Sequence, residues 1–120
     1  MSNIRQLRGK WGEEKASQYL EREGYTILER NMRTAHGEID ILALKGNVLT
    51  FIEVKTRSTN AFGFPEEAVS FRKQAHLLSA AEAYLQDHPE SPETWQFDII
   101  AITILPGNQP EIEHFENVIG

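Results

Sequence analysis

The amino-acid sequence predicts an α/β domain with the order helix, three strands, helix, and one or two further strands. Two stretches, residues 10–23 and 70–86, have apolar residues at helical spacing. Between them, residues 37–57 contain two runs rich in branched aliphatic side chains around a Gly-Asn pair, which is typical of a hairpin. A nearly continuous apolar run at residues 95–105 indicates a buried strand. At 120 residues, the chain is long enough for one domain with one core.

The first helix carries an acid on its apolar side. It is predicted over residues 10–23, after a flexible arm at residues 1–10. Ala16 and Leu20 follow Glu13 at helical spacing, so Glu13 lies on the stripe that faces the core. An acid there needs a partner or a metal, whereas an acid at the helix start could equally face water and favour the helix dipole.

The predicted hairpin places two carboxylates together. Gly46 and Asn47 can take the positive φ angles that a two-residue turn requires. With that turn, Asp40 lies directly opposite Glu53 on the neighbouring strand. Strand alternation then separates a charged face from an apolar face. The charged face comprises Glu38, Asp40, Glu53, Lys55 and Arg57, and the apolar face comprises Ile39, Ile41, Ala43, Ile52 and Val54.

The opposed pair of acids points to a cation. Like charges in opposed positions repel, so folding alone would not select Asp40 opposite Glu53. Two convergent carboxylates next to Lys55 suit a hard divalent cation such as Mg²⁺, which prefers oxygen ligands. The alternative is a surface hairpin whose acids are balanced by Lys55 and Arg57 in ordinary salt bridges.

These residues resemble known motifs. Ile-Asp at residues 39–40, followed by Glu-Val-Lys at residues 53–55, is similar to the PD-(D/E)XK signature of restriction-endonuclease-like nucleases. The longer strings at residues 37–40 and 51–57 resemble the YraN-like family of small bacterial proteins, and that likeness covers nearly the whole chain. The resemblance implies a restriction-endonuclease-like core, with a mixed four- to five-stranded sheet flanked by helices in the order α-β-β-β-α-β.

The same resemblance implies a single nuclease-like domain over residues 1–120 that depends on Mg²⁺ or Mn²⁺. Asp40 and Glu53, with the backbone carbonyl of Val54, would hold the metal. Lys55 would position the attacking water, and Glu13 would be an accessory ligand or base. The expected partner is nucleic acid, with DNA ranked before RNA as the substrate, and a homodimer is compatible with this fold.

Three basic residues are candidates for substrate phosphate contacts. Arg57 extends the charged face, and Arg33 precedes the hairpin. Lys73 lies on the apolar stripe of the second helix, where its stem could also pack while the ammonium reaches water. The net charge of −6 opposes simple phosphate binding, but all 12 Lys and Arg lie in residues 1–73.

The cysteine content, the length of the apolar runs and the spacing of the histidines exclude several kinds of site and of protein. No cysteine is present, which excludes disulfides and thiolate metal sites. No apolar run approaches the ~20 residues that span a bilayer, so a cytoplasmic protein without a membrane partner is expected. The four histidines have no ligand spacing and are interpreted as surface residues: His36, His76, His88 and His114. Asp98, isolated in the apolar run, is interpreted as structural.

Two further functions fit the same residues. One is a non-catalytic module that retains the nuclease fold and binds nucleic acid or protein, which the negative charge favours. The other is a metal-binding structural domain without a nucleic-acid partner.

Overall fold

A computed structural model of the protein describes residues 4–58, 71–107 and 109–119. These residues form two helices and five strands, and the predicted α/β class and element order are confirmed. The elements are α1 (Ile4–Arg22), β1 (Thr26–Thr34), β2 (Gly37–Lys45), β3 (Val48–Arg57), α2 (Phe71–Asp87), β4 (Thr94–Thr103) and β5 (Glu111–Phe115). Within the described ranges, no helix is both long and apolar enough to span a membrane.

The five strands form one mixed sheet in the order β1-β2-β3-β4-β5. β3 and β4 are parallel, whereas the other neighbouring pairs are antiparallel. A parallel connection requires a crossover, and α2 lies within the crossover between β3 and β4.

A hydrophobic cluster covers each face of the sheet. Ala16 and Leu20 of α1 pack with Ile52 on one face, while Ala80 and Ala81 of α2 pack with Phe51 on the other. The prediction of one apolar and one charged hairpin face is therefore wrong for the strand centres, where both faces are core. Beyond Phe51 in β3, the charged side chain of Glu53 lies on the α2 face, where it contacts Lys73.

Helix α1 begins at Ile4, so the flexible arm expected at residues 1–10 is wrong for residues 4–10. Gly9 does not interrupt the helix, because one glycine costs only about 1 kcal/mol in a helix interior. Gly12 is buried, and a Cβ at this position would collide with the hydroxyl of Thr56 in β3. The absent side chain lets α1 lie close against β3 and brings residue 13 to the sheet. Ser70, the predicted start of α2, lies outside the described residues.

The hairpin register is as predicted over its first half. Gly46 has a φ of 59°, and Lys45 pairs with Val48 across the turn. The β2–β3 ladder continues to Ile41 opposite Ile52 and ends there. Asp40 and Glu53 are therefore not a ladder pair, although they follow the last pair directly.

The alternation of side chains reverses in β2 at Asp40. Ile41 packs in the α1 cluster, but Ile39, two residues away, packs in the α2 cluster. Residues two apart in a regular strand share a face, so the predicted placement of Ile39 beside Ile41 is wrong. The reason lies in β1, where Asn31, flanked by the residues paired with Ile39 and Ile41, has a φ of 53°. Asn is one of the few residues that tolerates this conformation, and it rotates the strand pair locally.

Candidate functional site

Asp40 lies where β2 and β3 separate. The backbone N–H of Val54 donates a hydrogen bond to Asp40 Oδ2 at 2.8 Å. The carboxylate thus satisfies a β3 donor that the β2 backbone no longer reaches. Because the N–H and C=O of one strand residue point to the same side, the Val54 carbonyl also faces this gap.

The surroundings of Asp40 disfavour its negative charge. Burial raises the pKa of Asp40 to about 6, against the hydrogen bond from Val54, which lowers it. The nearby negative charges of three glutamates raise the pKa further: Glu53, Glu13 and Glu38. The structure therefore brings Glu13 and Glu53 into the electrostatic environment of Asp40.

Glu53 meets two lysines through one of its oxygens. Its side chain is only 12% exposed, and Oε1 contacts Lys55 Nζ at 3.3 Å and also Lys73 Nζ. The other oxygen, Oε2, is buried and has no hydrogen-bond partner among the described residues. A buried polar atom without a partner costs free energy, so Glu53 Oε2 is the least satisfied atom of this cluster.

The two lysines differ in how easily they lose a proton. Burial lowers the pKa of Lys55, and the adjacent Lys73 lowers it further. Burial also acts to lower the pKa of Lys73, but hydrogen bonds with Glu53 and Lys55 outweigh that effect and raise it. Lys73 therefore keeps its charge, and Lys55 is the amine that deprotonates first.

The two adjacent acids of α1 have different surroundings. Glu13 is half-buried and acts on Asp40. Glu14 is exposed and pairs with Arg30, Nη1 to Oε2, at 2.9 Å. Arg30 lowers the pKa of Glu14. The helix phase that turns Glu13 towards the sheet is the predicted one.

The predicted phosphate contacts are dispersed. Lys73 reaches Glu53 from the first turn of α2. Arg57 points towards the β4–β5 edge, where Nε donates to Thr103 Oγ1 at 3.4 Å and Nη2 lies 3.8 Å from Glu113 Oε1. Arg33 is 86% exposed and lies 3.8 Å from Glu38. Of these contacts, the one with a proposed metal ligand is that of Lys73 with Glu53.

A second polar cluster was missed by the sequence reasoning. His114 is only 10% exposed, so its interpretation as a surface residue is wrong. Its Nε2 lies 2.6 Å from Asp98 Oδ2, and its Nδ1 lies 3.0 Å from Tyr19 Oη. The sequence gives no signal for this, since β5 shows only polar alternation and its pairing with β4 decides which residues are covered.

The other three histidines agree better with the prediction that they lie at the surface. His36 and His76 are exposed, whereas His88 is half-buried and stacks on Tyr84 with 3.9 Å between ring centroids. The structural role predicted for Asp98 agrees with its contacts, because its buried carboxylate accepts a hydrogen bond from the backbone N–H of Asn117 at 2.9 Å. The ligand atoms of Asp98, His114 and Glu116 lie within 4.8 Å of one another.

Comparison with known proteins places these residues in a family context. A family model described as uncharacterised protein family UPF0102 matches residues 12–102. The chain is 45% identical over 109 residues to a UPF0102 protein of Syntrophomonas wolfei, covering 91% of this chain and 94% of that protein. It is 44% identical over 116 residues to one of Geobacter sulfurreducens (97% and 91% covered) and 38% identical over 120 residues to one of Dehalococcoides mccartyi (100% and 98%).

A distant structural likeness was also found. Pyrococcus furiosus SfsA, solved in complex with Ca²⁺, aligns with a TM-score of 0.45 and 18% identity. The alignment covers 92% of this chain and 62% of that one. A likeness of this size assigns neither fold family nor function.

Proposed function

The chain belongs to the UPF0102 family, the YraN-like family that its motifs predict, and we propose that it is a divalent-metal-dependent nuclease that hydrolyses phosphodiester bonds in DNA or RNA. The observation that carries the proposal is Glu53 Oε2, a buried carboxylate oxygen without a hydrogen-bond partner among the described residues. Such an atom is explained if a cation is its ligand. It lies in the same cluster as Asp40, whose pKa is raised by burial and by the charges of the neighbouring glutamates.

The donor set fits Mg²⁺ or Mn²⁺. Asp40 and Glu53 offer carboxylate oxygens, and Val54 offers a carbonyl that faces the same gap. These are all hard oxygen ligands, which Mg²⁺ and Mn²⁺ prefer over nitrogen or sulfur. A bound cation would also offset the mutual repulsion of Asp40, Glu53 and Glu13.

The chemistry divides between the metal and the two lysines. When bound, the metal supplies charge for the scissile phosphate and lowers the pKa of a water. Lys55, whose pKa burial lowers, is suited to orient that water and to take part in proton transfer. Lys73 retains its positive charge and can contact a phosphate oxygen. Glu13 would hold a metal-bound water or act as an accessory base.

Substrate binding would use the positive side chains around this cluster. Lys73 is the best placed, because it already contacts Glu53. Arg33 is exposed beside Glu38 and can reach a backbone phosphate without breaking a strong contact. Arg57 would have to exchange its long contact with Glu113 for a phosphate.

A non-catalytic binding module is the second candidate. The observation that favours it is the contact of both Lys55 and Lys73 with Glu53 Oε1. Two ammonium groups neutralise that carboxylate without any metal, so the cluster can also serve as a structural ion-pair network.

Cleavage assays test the proposal. Labelled branched, single-stranded and duplex DNA, with matched RNA, are incubated with the protein in Mn²⁺. We expect cleavage by the wild type, loss with Lys55→Ala or Glu53→Gln, and retention with Glu14→Gln, which alters an exposed acid of α1. Binding in Ca²⁺ without cleavage in Mn²⁺ would instead support the binding module.

A further inference from the structure

The geometry points to a second cation site, for a transition metal such as Zn²⁺, formed by Asp98 Oδ2, His114 Nε2 and a carboxylate oxygen of Glu116. One ligand atom from each of the three residues lies within 4.8 Å of the other two, beside the β4–β5 pair. One imidazole nitrogen with two carboxylate oxygens is a ligand set that zinc accepts, with a fourth position left for water. This site is independent of the proposed nuclease function.

Hydrogen bonds to Asp98 Oδ1 orient the carboxylate so that Oδ2 can bind a metal. Its side chain is fully buried, and Oδ1 accepts hydrogen bonds from Gln96 Nε2 and the backbone N–H of Asn117, both at 2.9 Å. Oδ2 is thereby turned towards His114. Hydrogen bonds of this kind fix the orientation of metal-ligating carboxylates.

His114 also has the outer partner that a metal-bound histidine needs. Its Nδ1 lies 3.0 Å from Tyr19 Oη, with the two rings edge to face. With the metal on Nε2, the ring proton resides on Nδ1 and is donated to Tyr19 Oη, an arrangement typical of metal sites. Without metal, the proton on Nε2 is donated to Asp98 Oδ2 at 2.6 Å, so the cation takes the place of this shared proton.

The local charge favours a cation. Within the described part of the chain, His114 is the only ion-pair partner of Asp98, and Glu116 has no ion-pair partner. Burial together with the charges of Asp98 and Glu116 raises the pKa of Tyr25 to about 12. Lys45 contributes a positive charge to the same region, with Nζ 5.1 Å from the centre of the Tyr25 ring. Buried carboxylates are paired or coordinate metals, and His114 is the ion-pair partner of the buried Asp98 among the described residues.

The site lies on the α1 face of the sheet and is open on one side. Tyr19 belongs to α1, whereas Glu53 meets Lys73 of α2 on the other face. Glu116 is exposed and lines a groove of about 210 Å³ through which an ion could enter. A metal here would connect the short strand β5 and the residues after it to β4.

Titration with metal alone tests this site on the full-length protein. We expect Zn²⁺ to raise the melting temperature, and Co²⁺ to give the visible absorption of a four-coordinate site. His114→Gln should abolish the Co²⁺ absorption and reduce the Zn²⁺ melting shift, whereas Tyr19→Phe should weaken binding roughly tenfold by removing the outer partner. Glu116→Gln should weaken binding without unfolding the protein, since Glu116 is exposed.

Matched controls separate this site from the others. His36→Gln alters an exposed histidine and should leave both signals intact. Glu53→Gln should leave the four-coordinate Co²⁺ absorption intact, although it removes the proposed nuclease site. Equal Co²⁺ affinity in the wild type and Glu116→Gln would remove Glu116 from the ligand set and overturn the three-ligand site. No Zn²⁺ effect on the wild type would show that the three residues form a metal-free structural cluster. If His114→Gln does not fold, Glu116→Gln and Tyr19→Phe decide the question.

Discussion

The backbone N–H of Val54 and the carboxylate of Asp40 are joined by a 2.8 Å hydrogen bond at the point where two paired strands separate. Asp40 therefore has two roles. Its Oδ2 accepts the hydrogen bond that links it to β3, and its carboxylate is also part of the acidic cluster. The bond also explains how the position of the carboxylate is fixed by main-chain geometry rather than by a flexible partner. A ligand held in this way loses little conformational freedom when a cation binds.

Asp40→Asn should stabilise the metal-free protein at pH 8. The amide oxygen can still accept the Val54 bond, and the unfavourable buried charge is removed. Burial raises the pKa of Asp40 from 3.8 to about 6. The ionised carboxylate therefore destabilises the folded protein fully above pH 6, and this destabilisation disappears as the pH falls to 3.8. The difference in unfolding free energy should approach about 3 kcal/mol at pH 8, as an upper limit, and shrink towards pH 4.

Urea unfolding in EDTA at pH 8 and pH 4.5 measures this effect. Asp40→Ala serves as the control, because it removes the charge and the hydrogen-bond acceptor together. We expect it to be less stable than Asp40→Asn at both values of pH. A variant Asp40→Asn that is destabilised equally at both would contradict the burial argument.

Glu53→Gln should destabilise the metal-free protein, whereas Asp40→Asn should stabilise it. Neutralising Glu53 leaves Lys55 and Lys73 adjacent without their shared carboxylate. The expected loss is about 1 to 2 kcal/mol, between the values for surface and buried ion pairs. Glu14→Gln alters an exposed side chain that contacts Arg30 and Gln18, so its stability should stay close to that of the wild type. A stabilised Glu53→Gln protein in EDTA would mean that repulsion from Asp40 outweighs both lysines.

The opposite stability effects expected of Asp40→Asn and Glu53→Gln could not be predicted from the sequence. From the sequence, Asp40 and Glu53 are an opposed pair whose repulsion either neutralisation would relieve. The Gly46–Asn47 turn was predictable because a dipeptide encodes it locally. The contact of Lys73 with Glu53 was not, because it depends on how the crossover between β3 and β4 places α2 on the sheet.

The irregularity of β1 and β2 explains why the sequence assigned some side chains to the wrong face of the sheet. Alternation assigns faces correctly only where the strand is regular, and the positive φ of Asn31 reverses the faces across the Asp40 position. Asn31 carries no local signal that distinguishes it from a turn residue. His114 was misplaced for a related reason, since its burial follows from the pairing of β5 with β4 and from Tyr19 on a helix 95 residues away.

Mn²⁺ should stabilise the wild type by mass action, on the order of 1.4 kcal/mol when free metal is about ten times its dissociation constant. Asp40→Asn and Glu53→Gln should lose most of this gain, whereas Glu14→Gln should keep it. Because protons compete for Asp40, the apparent affinity should fall below pH 6, roughly tenfold per unit. Melting curves in EDTA and Mn²⁺ measure the effect, and an equal shift in NaCl of matched ionic strength would attribute it to screening.

Gly12→Ala tests the close approach that places Glu13 beside the sheet. A Cβ at residue 12 would overlap Thr56, so we expect a loss of about 1 to 3 kcal/mol. Gly9→Ala is the matched control, because no atom lies near its Cβ position, and it should stabilise the helix by up to about 1 kcal/mol. Thr56→Ala removes the overlapping hydroxyl and should partly rescue Gly12→Ala in urea unfolding. If the two glycine variants are equally stable, α1 does not pack on β3 at Gly12, and the position of Glu13 next to Asp40 loses its structural basis.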